Sequence, residues 1–346
     1  MVLASSGQCP PPTSSSPAET SNIENNLKTE TPSIELTRSR AIDTPARVLI
    51  RTRVAGAQGL RGRDQFLLLL LPLTVFTAFF VIPNLLNFAF SVTNWNSYSD
   101  VIKFIGLANF ADLVQSGTLW NDLRVTLIFA IMVALFQNSL GLLLATGLEK
   151  TTRANGFLRA VFFIPVLISP LATGYLFKGL LAYAGPVNQV VSWVAGTPVH
   201  VNFLGSPEWT VITVAAVNAW KYFGLTTLVY IAGLAAIPEE LSEAARIDGA
   251  GAWQAFWRIK WRMLAPALTV NLTLSLIGSL NAFDVILSTT GGGPARGTEV
   301  FNIFVFQQFG SGAFGESTAM ALILFLTVVV IAVPLISYLR RREIEA

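Results

Sequence analysis

The sequence predicts an all-α membrane protein of six transmembrane helices, and three observations carry that prediction. Of 346 residues, 53% are hydrophobic and only 12% charged, with a mean hydropathy of +0.58; soluble domains carry roughly 25% charged residues. Six apolar stretches, near 65–91, 122–147, 157–184, 208–235, 264–289 and 317–339, are each long enough to cross a bilayer, which takes roughly 20 residues of helix. Lys and Arg alternate between rich and poor connections in the way that orients multi-span proteins.

Residues 1–36 are rich in Ser, Thr, Pro and Glu, a composition that buries too little apolar surface to offset ordering, so a disordered segment is expected. Seven arginines follow between Arg38 and Arg63, a basic stretch suited to the anionic inner membrane face. Residues 1–60 hold no apolar core of the signal-peptide kind. The predicted organisation is a disordered, basic cytoplasmic tail over 1–63, a transmembrane domain over 64–340 that includes the connection 237–266, and a cytoplasmic tail over 341–346.

The third stretch contains Pro165 and Pro170, so its helix is expected to kink or break. A break is tolerated only where neighbouring groups satisfy the freed carbonyls. The second-to-third connection holds Lys150, Arg153 and Arg159; the fourth-to-fifth holds Arg246, Arg258, Lys260 and Arg262; the C-terminus holds Arg340, Arg341 and Arg342. The other connections hold little besides Lys103 and Arg296. Both termini are therefore expected in the cytoplasm.

Several chemistries are excluded early. A net charge of +3 is too small to argue for nucleic acid. One cysteine, Cys9, and one histidine, His200, rule out a disulfide framework or a Cys/His zinc site within one chain. Gly310–Ser317 imitates P-loop spacing, but Glu316 stands where a phosphate-binding lysine is required. Asn271-Leu-Thr273 has the form of a glycosylation sequon but lies inside a span.

The connection from Ile237 to Pro266 reads as helix, sharp turn, helix. Pro238 suits a first turn and Glu239 and Glu240 its positive end. Asp248-Gly249 ends the first helix, with Asp248 expected to N-cap the next. That second helix, about 251–262, places Trp253, Phe256, Trp257 and Ile259 along an apolar stripe.

Glu243-Ala244-Ala245-x-x-Asp248-Gly249-Ala250, followed by Phe256, Ile259 and Pro266, resembles the EAA loop of ABC importer permeases. Phe104–Phe110, Phe157–Pro165 and Asn281-Ala-Phe-Asp284 with Thr290-Gly-Gly-Gly-Pro294 are similar, in order and spacing, to further segments of that family. The last is similar to its carbohydrate branch, the maltose and glycerol-3-phosphate permeases. The resemblance spans residues 70–339. One departure is Arg262, where the family has proline, which bears on the angle of re-entry into the membrane.

The resemblance implies the ABC type I importer transmembrane fold and a multi-pass subunit of the plasma (inner) membrane that moves a carbohydrate by alternating access. It implies that Glu243, Ala244, Ala245, Asp248, Gly249 and Ala250 form the coupling helix region that docks on an ATPase. Implied partners are a second permease subunit, a cytoplasmic ATPase dimer and an extracytoplasmic sugar-binding protein. ATP and magnesium belong to the ATPase; no cofactor, metal or covalent chemistry is expected in this chain.

Polar groups inside spans are costly in lipid and so point to function. Gln137, Asn138, Asn218, Lys221, Asn281 and Asp284 qualify. Interhelical hydrogen bonding is the favoured reading for Gln137 and Asn138. Substrate contact is favoured for Asn281 and Asp284, whose i, i+3 spacing would put both on one face of the fifth helix. Asn218, with Trp220 and Tyr230 as aromatic faces for a sugar, completes the expected pathway, although both rings could equally be packing. The rival reading, an ion-coupled secondary transporter or channel, needs an ionisable relay for which only Lys221 and Asp284 offer themselves, and it leaves 237–266 unexplained.

Overall fold

The structure, a computed structural model, describes residues 62–344. The expected disordered, basic tail lies outside the described residues. The first helix runs as α1 (Gly62–Phe76), a π-helical turn (Thr77–Val81) and α2 (Ile82–Phe90). The widened turn falls just before Pro83, which supplies no N–H to the preceding turn. A short helix, α3 (Ala108–Gln115), leads into α4 (Thr118–Gly147).

The proline-containing stretch is broken, as its sequence predicts. Helices α5 (Arg153–Leu167) and α6 (Pro170–Leu180) meet at 96°. Beyond them come α7 (Pro186–Ala195) and the long α8 (Pro207–Ala235). The connection that follows holds α9 (Glu239–Ile247), α10 (Ala252–Ala255), a second π-helical turn (Phe256–Lys260) and α11 (Trp261–Met263). The chain then bends by 68° into α12 (Ala265–Leu280). Helices α13 (Asp284–Thr289), α14 (Phe301–Ser311) and α15 (Phe314–Ile344) complete the fold. The last helix runs through 341–344, where a tail was expected.

Among the described residues, Leu68–Phe90, Thr118–Gly147 and Phe314–Arg341 are long and apolar enough to cross a membrane alone, and counting each of three bent pairs as one span gives up to six. The core is built on α4 and α8. Gln137 Nε2 donates to Thr226 Oγ1 (2.7 Å), and Tyr230 OH donates to Asn138 Oδ1 (2.9 Å). Residue numbers rise together along both helices, so the two run parallel. Gly141 permits their close approach, because a Cβ there would lie 2.6 Å from Thr226 Cγ2. Helix α12 crosses the same seam in the opposite sense, with Leu264 and Ala267 clustered against Ala145, Tyr230 and Leu234.

The Gly310–Ser317 segment is a helix–helix turn. Gly312 C-caps α14 at φ 87°, and Glu316 stands in the first turn of α15.

Candidate functional site

Three sets of polar side chains lie within the helical core, and each is used differently. The first is a seam between α4, α8 and α12. Asn138 Nδ2 donates to Ser275 Oγ (3.0 Å) while its carbonyl oxygen accepts from Tyr230, and Asn271 Nδ2 donates to the Thr226 carbonyl (3.2 Å). Tyr230, expected to face a sugar, is instead 1% exposed and belongs to this seam. Its hydroxyl found an amide partner on a neighbouring helix, which satisfies it as well as substrate would.

The second set is Lys221 and the broken third span. Lys221 is buried, and its ammonium donates to the carbonyls of Pro165 (3.4 Å), Val166 (3.1 Å) and Ile168. Val166 and Ile168 lie at the α5–α6 break, where carbonyls lose their helical donors, while the Pro165 carbonyl also accepts from Ile168 N (3.3 Å). No carboxylate lies within ion-pair distance of Lys221 among the described residues. Trp220, also expected in the pathway, packs edge-on against Phe177 with ring centroids 4.9 Å apart.

The third set opens into a cavity of about 360 Å³, within the roughly 300–1,000 Å³ range of small-molecule sites. Its polar wall comprises Gln137, Asn218, Tyr222, Ser275, Asn281 and Asp284. Asn218, Asn281 and Asp284 are thus brought together as the sequence suggests, but not by the expected geometry. Helix α12 ends at Leu280, Asn281 is its C-cap, and Asp284 opens α13. The two are not on one continuous helix face; the break itself turns both toward the cavity. Asn281 Nδ2 satisfies the Ile277 carbonyl (2.9 Å) in the terminal turn. Tyr222 has no span-breaking signature in the sequence and was missed; its only cue is its place four residues after Asn218.

Near the other end of α4, Arg296 is paired with Glu299 (2.6 Å) and Asp122 (3.3 Å) and donates to Thr118 (3.2 Å). Asp122 is 0% exposed. The Thr290-Gly-Gly-Gly-Pro294 turn, with Gly291 and Gly292 at positive φ, brings Arg296 back to α4. Sequence reasoning passed over this network, although an acid and a base at the ends of apolar stretches were its visible signal.

The α9–α10 connection is shaped by its own capping. Gly249 N donates to Arg246 O (3.1 Å) and Ala250 N to Ala245 O (2.9 Å), with Gly249 at φ 77°. This is a Schellman end, which requires a residue that tolerates the left-handed region. Asp248 is therefore the C-cap of α9 and does not N-cap the next helix; Gly251 takes that place. Two residues are consumed by the turn, which moves the next helix start to Ala252. Ala245 is buried, whereas Glu243, Ala244, Asp248 and Gly249 are exposed. Ile247 is 86% exposed, an apolar side chain that the sequence reading did not single out. Phe256, Trp253 and Trp257 turn toward α4 across a groove closed by a Lys260–Glu149 ion pair (2.6 Å).

A six-span helical core, a polar cavity where the fifth span breaks, and a capped helix–turn–helix connection together define a transport permease of the importer class. Residues 137–344 match the family described as the binding-protein-dependent transport system inner membrane component. The chain belongs to that family, as a membrane subunit of an ABC importer. It is similar to the multiple sugar-binding transport system permease MsmF of Streptococcus mutans, 30% identical over 277 residues, covering 80% of this chain and 95% of the relative. It is also similar to the trehalose/maltose transport permease MalF of Thermococcus litoralis, 31% identical over 264 residues, covering 76% and 89%. A solved bacterial ABC transporter involved in import of the acidic polysaccharide alginate matches with a TM-score of 0.69 at 25% identity, over 81% of this chain and 96% of that chain.

Proposed function

We propose that this chain is the permease that carries a carbohydrate across the plasma membrane by alternating access, in a complex with a second permease, an ATPase dimer and an extracytoplasmic binding protein. The observation that carries the reading is the cavity. Amide and phenol groups of Asn218, Tyr222 and Asn281 line one space beside Asp284, with Gln137 and Ser275 of the seam closing it. Such groups both donate and accept, which is what sugar hydroxyls require. The sugar transport systems named for the relatives support it.

The coupling role falls to the exposed part of the α9–α10 connection. Glu243, Ala244 and Asp248, with Ile247 beside them, present the contact surface; Ala245, Gly249 and Ala250 hold its shape. ATP and magnesium act in the partner ATPase, and closure of that dimer draws the two coupling connections together. The distribution of Lys and Arg supports cytoplasmic termini.

The test is ATP hydrolysis by the assembled complex in proteoliposomes against a sugar panel. Stimulation by at least one sugar, abolished by Glu243→Lys with assembly intact, is expected. A panel without effect in an assembled, ATP-hydrolysing complex would remove the carbohydrate assignment.

A further inference from the structure

We infer that this chain's wall of the cavity admits neutral and cationic solutes and turns away anionic ones. The cargo is then a carbohydrate without carboxylate, sulfate or phosphate, a conclusion that rests on the transport reading above. Among the described residues, Asp284 is the one charged residue lining the cavity. It is exposed, and among the described residues it has no ion-pair partner. A lone carboxylate in a cleft with apolar walls raises the local concentration of cations and lowers that of anions.

An anionic solute would need a cation to meet it, and among the described residues no Lys or Arg lines the cavity. Lys221 directly precedes the cavity residue Tyr222 on α8, and its ammonium lies 4.8 Å from the centroid of that ring. Lys221 is nonetheless not among the residues lining the cavity, and its donors are engaged. An ammonium has three N–H donors, and three carbonyls, of Pro165, Val166 and Ile168, receive them. Arg296 is held by Asp122 and Glu299. Lys178, in the last turn of α6, is not among the cavity's lining residues. What remains for the solute is neutral hydrogen-bonding groups and one acceptor able to bind two adjacent hydroxyls.

The experiment reads the cavity's potential without a sugar. In the assembled complex, Cys9, the chain's one cysteine, is replaced by serine and Asn281→Cys is introduced. Its modification rates are measured with a trimethylammonium-bearing and a sulfonate-bearing methanethiosulfonate, each divided by that reagent's rate with 2-mercaptoethanol. The normalised ratio should favour the cation by about tenfold, the scale of a nearby unit charge in a partly hydrated site. Asp284→Asn should bring it close to one, and Asp284→Glu should retain it. A ratio at or below one in the Asn281→Cys protein, a ratio unaffected by Asp284→Asn, or a cysteine that neither reagent reaches would overturn the inference. Because no sugar enters this measurement, its failure is distinct from failure of the sugar-stimulated ATP hydrolysis.

Discussion

The α4–α8–α12 seam and the cavity wall a few residues away are built from the same residue types, yet they are opposites in use. In the seam, Asn138 bonds Ser275 and Tyr230, and Asn271 bonds a backbone carbonyl; every such group is spent on the fold. At the cavity, Asn281 and Asp284 are exposed and remain open to a solute. The α9–α10 connection repeats the contrast in miniature, with Ala245, Gly249 and Ala250 spent on a helix end and Glu243, Asp248 and Ile247 facing outward. A polar residue inside a span therefore signals function only when its neighbours leave it unspent.

The largest effect expected is at Lys221. If its ammonium serves the α5–α6 break, Lys221→Met deprives the part-buried Val166 and Ile168 carbonyls of their donor and costs on the order of 3 kcal/mol. Thermal unfolding of the purified complex should show this, with Lys221→Arg markedly milder. A Lys221→Met protein of unchanged stability but altered transport would move Lys221 to the functional side of the comparison.

Gly249→Pro tests the connection. Proline cannot adopt the φ of 77° found there, so the turn must re-form. Sugar-stimulated ATP hydrolysis should fall roughly tenfold or more, within the range of typical coupling energies, while the six spans still insert. Stimulated hydrolysis at the normal rate would break the assignment of coupling to this turn.

The seam and the cavity can be set directly against each other. Asn138→Leu should lower stability by about 1–2 kcal/mol, because Tyr230 and Ser275 lose their partner, and leave sugar preference unchanged. Asn281→Ala should do the reverse: stability within about 0.5 kcal/mol, and the sugar concentration for half-maximal uptake raised roughly three- to tenfold, the equivalent of one hydrogen bond. If both variants change stability alone, the cavity wall is merely a second seam.

The smallest effect is expected at Glu149→Gln. Its ion pair with Lys260 is partly exposed on both sides, at 35% and 22%, and such pairs contribute under about 1 kcal/mol. A larger loss in urea or thermal unfolding would show that the pair fixes the second π-helical turn against the segment that follows α4.

Much of this was legible in order of residue alone. Apolar runs of membrane length, the Lys and Arg distribution, Pro165 and Pro170, and the Glu-Ala-Ala…Asp-Gly-Ala spacing are local or periodic properties, and local physics reads them directly. Gln137 and Asn138 were read correctly as interhelical, because an amide inside a span needs a polar partner wherever one exists. Tyr230 and Trp220 were misplaced since an aromatic ring suits a sugar or a neighbouring helix equally well. The i, i+3 argument for Asn281 and Asp284 failed in form because nothing between them announces that α12 stops at Leu280.

What the sequence by itself determined is the medium, the number of crossings, the broken third span and the site of the Schellman turn. Each follows from backbone hydrogen bonding and apolar length within one segment. What only the tertiary structure decided is which polar groups are paired. Lys221 meets carbonyls that lie 53 to 56 residues earlier, Asn138 meets partners 92 and 137 residues later, and the Asp284 carboxylate meets no ion-pair partner among the described residues. Pairing depends on distance in space between helices, and a sequence records distance only along the chain.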